Sequence, residues 1–164
     1  MKDLRFLSLT LLITILSIPS SIHAQLSNYE RQIVASTLVL EAAGEGTEGM
    51  QAVLNVIYNR AKHRTHRIVG VVAKYGAFSS LNSVTKSRTP DYSPILRKAQ
   101  RDRAYPTAYR LVKRLEREGL YDITEGSDYF YSVHGERPDW AADMQFVKKI
   151  GDHRFYRSKR SYYR

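Results

Sequence analysis

Glu41 is the residue whose type and position most invite chemistry. The apolar or small positions Ile33, Val34, Thr37 and Leu38 precede it by eight, seven, four and three residues, so on a helix its carboxyl projects from the buried face. An acid placed there, close to a helix C-terminus, is costly to ionise, because desolvation and the negative end of the helix dipole both disfavour the anion. Glu45 and Glu48 add like-charge repulsion if they approach, with partial offset from the N-terminus of the helix that follows. A carboxyl that keeps its proton near neutral pH can act as a general acid toward the leaving oxygen of a glycosidic bond. The competing reading is a structural ion pair with Arg31 or Arg60, and spacing alone does not separate the two.

Other constellations carry less. His63 and His66 have the helical spacing of two metal ligands, but Lys62, Arg64 and Arg67 oppose a cation, and no metal is expected. No cofactor is expected either, since phosphate loop, dinucleotide fingerprint and Gly-x-Ser-x-Gly elbow are missing from the sequence. The lack of cysteine excludes thiol catalysis, a disulfide framework and a lipid-modified cysteine. His134 and His153 read equally as ring donors in a cleft or as satisfied surface histidines. Twelve tyrosines suit a surface that stacks on flat sugar faces, although single tyrosines usually pack.

The elements that must position Glu41 follow from capping and periodicity. Asn28 to Ala43 reads as a helix with Asn28 as N-cap and Gly44 as the glycine that ends it. A second helix is expected from Thr47, with Met50, Val53, Leu54, Ile57 and Ala61 on one stripe. A weaker apolar segment runs from Ile68 to Tyr75, followed by a long functional loop from Gly76 to Pro90. Pro94 and Pro106 open two further helices, the second ending at Gly119. Asp128 to Val133 and His153 to Arg157 alternate like two strands, with a turn or short helix at Pro138, Asp139 and Trp140 between them. The expected fold is α+β, mainly helical, with a small antiparallel ribbon.

Composition bounds the rest. The 164 residues, 43% hydrophobic, exclude intrinsic disorder and collagen-like repeats. Lys2 and Arg5 precede an uncharged run from Phe6 to Ile18, and Ala24 is a small residue at a cleavage point, so residues 1–24 read as a secretory leader. The protein is thus expected to be exported, to the periplasm or to the cell wall and extracellular space. The formal charge of +10 concentrates between Lys86 and Glu118, where ten Lys and Arg face four Asp and Glu. The segment Lys86 to Arg117 can hold anionic envelope polymers, or it can simply be a solvated helix surface. No specific nucleic-acid partner is expected, and oligomeric state is not readable from the sequence.

The run Val39-Leu40-Glu41-Ala42-Ala43-Gly44-Glu45-Gly46-Thr47-Glu48-Gly49-Met50-Gln51-Ala52-Val53, continued to Asn59-Arg60, resembles the opening motif of the SleB-type cell-wall hydrolases, a family that includes spore cortex-lytic enzymes. Gly76-Ala77-Phe78-Ser79 resembles the family's Gly-Gln-Phe-Ser loop, and Gly126-Ser127-Asp128-Tyr129-Phe130-Tyr131, Pro138 with Trp140, and Ile150-Gly151-Asp152-His153-Arg154-Phe155-Tyr156 follow in order. Ala77 stands where Gln is common, and Tyr129 where His is usual.

The resemblance implies a lysozyme-like catalytic domain over residues 25–157, followed by a basic tail, 158–164. It implies cleavage of peptidoglycan between N-acetylmuramic acid and N-acetylglucosamine, typically as a lytic transglycosylase, with Glu41 as the catalytic glutamate. Glu45 is the candidate assisting carboxylate, and Phe78, Ser79, Tyr129, Tyr131 and Trp140 are the candidate sugar-binding residues. The rival readings are a hydrolytic muramidase and a noncatalytic basic wall-binding protein.

Overall fold

The computed structural model describes residues 25–159. The expected leader, 1–24, and residues 160–164 of the expected tail lie outside the described residues. Helix α1 spans Asn28–Ala42, and its N-cap is Ser27 rather than Asn28. Ser27 and Glu30 form a reciprocal capping box, with Glu30 N donating to Ser27 Oγ at 3.2 Å and Ser27 N to Glu30 Oε2 at 2.7 Å. Asn28 instead accepts the Tyr109 hydroxyl at 2.6 Å.

Gly44 does not end the helix as expected. The chain tightens into a 3-10 turn, Ala43–Glu45, and the left-handed residue is Gly46, at φ +67°. Helix α2 follows as Gly46–Arg60, starting one residue before Thr47. It is the central element, because it buries two faces. Met50, Val53, Leu54 and Ile57 join the main helical core, while Ala52 and Val56 pack with Ile150 and Phe155 of the sheet.

The segment Ile68 to Tyr75 is helical only over Ile68–Val72, which forms α3 after a 3-10 turn at Thr65–Arg67. The expected long loop is also structured, containing a 3-10 turn, Ser79–Leu81, and helix α4, Asn82–Thr85. Phe78 and Leu81 are buried and anchor it, and the Gly76 N–H bonds Asn82 Oδ1 at 3.1 Å. Helices α5 (Ser93–Gln100) and α6 (Tyr105–Glu118) open with proline in the first turn as expected, and Gly119 ends α6 at φ +78°. Both pack against α1, which is enclosed by α2, α3, α5 and α6.

The expected two-stranded ribbon has three strands. They are β1 (Tyr129–Ser132), β2 (Gln145–Ile150) and β3 (His153–Arg157), in antiparallel order β1-β3-β2. Strand β2 was hidden in the sequence because a register shift between Phe146 and Lys148 breaks its alternation. The short helix α7, Trp140–Asp143, lies between β1 and β2, where a turn or short helix was expected.

Candidate active site

A groove of about 630 Å³ runs between the end of α1, the loop at Ala77–Ser79, strand β1 and Trp140. Glu41 lies in the last turn of α1 and lines this groove. Its stripe neighbours Val34 and Leu38 are fully buried, whereas Glu41 itself is half-buried, because the last turn of the helix overhangs the opening. The carboxylate is held by one residue of the loop opposite: Glu41 Oε1 accepts from Ser80 Oγ at 2.5 Å and from Ser80 N at 3.2 Å.

Neither arginine considered as an ion-pair partner engages it. Arg31 Nε bonds Glu116 at 2.6 Å, and Glu116 also accepts from Leu26 N at 2.8 Å. Arg60 donates to the Asp128 carbonyl at 2.6 Å and lies over the Phe78 and Tyr129 rings, 5.4 and 5.2 Å from their centroids. Burial holds the Arg60 guanidinium below its usual pKa, against the pull of Tyr129, Asp128 and Glu41. Glu41 is in no ion pair among the described residues.

Glu45 lines the same groove but is tied to the sheet, its Oε2 accepting from Asp152 N in the β2–β3 turn at 2.9 Å. Two glycines make room for it. A Cβ on Gly151 would lie 1.7 Å from Glu45 Oε2, and one on Gly49 2.1 Å from Glu45 Cβ. Gly151 also has φ +55°, so both space and backbone exclude larger residues there. Glu48 is exposed and has Lys148 as a charged neighbour, so it does not add to the carboxylates of the groove.

The two histidines separate. His134 is exposed, 2.8 Å from Asp152 Oδ2. His153 is 6% exposed, lines the groove, and meets the Phe130 ring edge-on at 5.2 Å. Burial pushes its pKa down, opposed by Glu45, Glu41 and Asp152. Its Nδ1 is buried without a hydrogen-bond partner among the described residues. No His/Asp/Glu cluster suited to a metal occurs among the described residues, and His63 instead packs edge-on against Tyr58 at 5.1 Å.

The five sugar-binding candidates divide. Ser79, Tyr131 and Trp140 line the groove, with Tyr131 and Trp140 in edge contact at 5.9 Å. Phe78 reaches it only marginally, being 3% exposed and packed against Phe130. Tyr129 faces a second cavity on the other side of Arg60. Sequence reasoning singled out neither Ser80 as the holder of Glu41 nor Arg60 as a wedge. Ser80 directly follows a candidate, so the loop was found but not the residue that makes the contact.

The family model described as cell wall hydrolase matches residues 44–156, beginning three residues after Glu41. No curated protein matches the chain significantly. Among solved structures, the chain is similar to the catalytic domain of the germination-specific lytic transglycosylase SleB from Bacillus anthracis. The TM-score is 0.59 at 23% identity, covering 85% of this chain and all (100%) of that one. The catalytic domain of the Bacillus cereus SleB protein gives the same TM-score, 0.59, at 24% identity over 82% of this chain and 94% of that one. The two likenesses show that the α+β fold is shared with these two catalytic domains. The family match spans most of the chain, including the groove's loop, strands and Trp140, and the protein therefore belongs to the cell wall hydrolase family of enzymes.

Proposed function

We propose that the protein cuts peptidoglycan glycan strands between N-acetylmuramic acid and N-acetylglucosamine, as a lytic transglycosylase with Glu41 as its one catalytic carboxyl. Glu41 protonates the bridging oxygen, the glycosidic C–O bond breaks, and the carboxylate then takes the proton of the muramoyl 6-hydroxyl as that oxygen attacks the anomeric carbon. The product is a 1,6-anhydro end, and no water is consumed. The observation that carries this reading is the Glu41 carboxylate in the groove wall, held by Ser80 and, among the described residues, not paired to a cation.

Glu45 assists by position. Its bond to Asp152 N fastens the turn after α1 to the sheet, so the two walls of the groove keep their separation. That engagement argues against Glu45 as the base that activates water in a muramidase, which favours the transglycosylase outcome. Ser79, Tyr131 and Trp140 would bind the sugars, with the aromatic rings stacking on their apolar faces.

The reading carries export with it, because peptidoglycan lies outside the membrane, and residues 1–24 would be the leader of a catalytic domain at 25–157. Attachment to anionic wall polymers would fall to the basic segment Lys86 to Arg117. Arg110, Lys113, Arg114 and Arg117 of that segment border a cavity of about 520 Å³ that shares no lining residue with the Glu41 groove. This cavity is the observation that favours the second reading, a binder without catalysis. Digestion of purified sacculi followed by mass spectrometry separates the possibilities. Anhydro-muropeptides are the expected product; plain reducing ends would make the protein a muramidase, and no soluble product would leave the binder.

A further inference from the structure

A second cavity, of about 810 Å³, abuts the Glu41 groove and shares Arg60, Ala77, Phe130 and Trp140 with it. A glycan strand seated in the first would therefore border the second. The chemistry of the two differs. The second adds two exposed cations, Arg67 and Lys74, neither in an ion pair among the described residues. Its one acidic lining residue, Asp128, is already engaged, with its two carboxylate oxygens accepting from Ser158 N at 2.7 Å and from Ser158 Oγ. Tyr75, 59% exposed, and Tyr129 supply apolar area beside the cations.

In a stem-bearing strand the lactyl carboxyl of muramic acid is taken up in an amide, so the sugars themselves are neutral and give two such cations nothing to pair with. The peptide stem that branches from the lactyl ether of muramic acid carries free carboxylates. We infer that this cavity receives the anionic peptide stem, Arg67 and Lys74 pairing with its carboxylates while the glycan lies along Glu41. The inference rests on the glycan-cutting reading and narrows it: the preferred substrate is peptide-bearing strand rather than bare glycan. Ala77 and Trp140, common to both cavities, mark where strand and branch would part.

Two measurements test it. In the first, soluble strands with stems intact are compared with strands stripped by an amidase and then methylamidated at the lactyl carboxyl this cleavage exposes. The expected ratio of kcat/KM is about tenfold in favour of the intact strands, and the double variant Arg67→Gln/Lys74→Gln brings it close to one. A ratio of one in the unaltered protein, or a ratio unaffected by the double variant, overturns the inference. In the second, disaccharide-tetrapeptide and the disaccharide methylamidated at its lactyl carboxyl are titrated onto Glu41→Gln, with and without the double change. Tighter binding of the tetrapeptide form that vanishes with the two cations supports the cavity's role, and equal binding of both compounds overturns it. Failure to cut either polymer, with the stem-dependent binding intact, would refute the glycan-cutting reading alone.

Discussion

Two short contacts fix the carboxylates of the groove, and each makes a prediction at the level of a single residue. Ser80 gives Glu41 Oε1 both its hydroxyl and its backbone N–H. Ser80→Ala removes one of these donors, so muropeptide release should slow about 3- to 10-fold with little change in Tm, as expected for one hydrogen bond to a reacting group. Unchanged release would mean that the bond does not orient the carboxyl. Gly151→Ala should destabilise the fold by about 1–3 kcal/mol, since it adds a Cβ at positive φ and against Glu45. Faster hydrogen exchange at the Asp152 amide would accompany it, because that N–H would lose Glu45 Oε2. The position of Glu41 was readable because helical period alone put a carboxylate beside Leu38 and Val34. Its partner was not, because Ser80 is 39 residues away and meets it only through tertiary folding.

The helices were easier to read than the sheet, for physical reasons. Pro94, Pro106 and Gly119 are local stop and start signals that work whatever packs nearby, and α5 and α6 obey them. Strand β2 carries Lys148 and Lys149 and a bulge, so no alternating pattern announces it, and only its pairing with β3 makes it a strand. The cap at Ser27 was displaced by one residue because Ser27 and Glu30 satisfy two donors together. At this scale, Glu116 joins α6 to α1, receiving both Arg31 and the Leu26 N–H with its side chain only 7% exposed. Glu116→Ala should lower stability by about 2–4 kcal/mol by leaving Arg31 and that N–H without an acceptor, measurable by urea unfolding. A loss below about 0.5 kcal/mol, the level of a surface pair, would show that the contact does not hold α1 to α6.

For the whole molecule, pH dependence follows from two groups. Burial of Asp122 raises its pKa, but hydrogen bonds from Thr124, Asn59 and Gly126 outweigh this and hold the carboxyl below its usual value. Its stabilising effect is thus complete above about pH 4 and is lost as pH falls through the lower folded value. His153 is held below its usual pKa by burial, so the unfolded chain takes up a proton first on acidification. That contribution is complete above about pH 6.5 and declines as pH falls toward the folded value. Tm should therefore fall in two stages on acidification, and His153→Phe should abolish the upper stage; a stage that persists would have another origin. The outline of a helical domain with an appended sheet was legible from composition and pattern. The second cavity was not, since Arg67, Lys74 and Tyr129 are far apart in the sequence and border one cavity only in the folded chain.

The most direct test of the central claim is release of soluble muropeptides from purified sacculi by Glu41→Gln beside the unaltered protein, with the melting curve of each. The account predicts that release falls to background while the curves superimpose. Undiminished release by Glu41→Gln would contradict it.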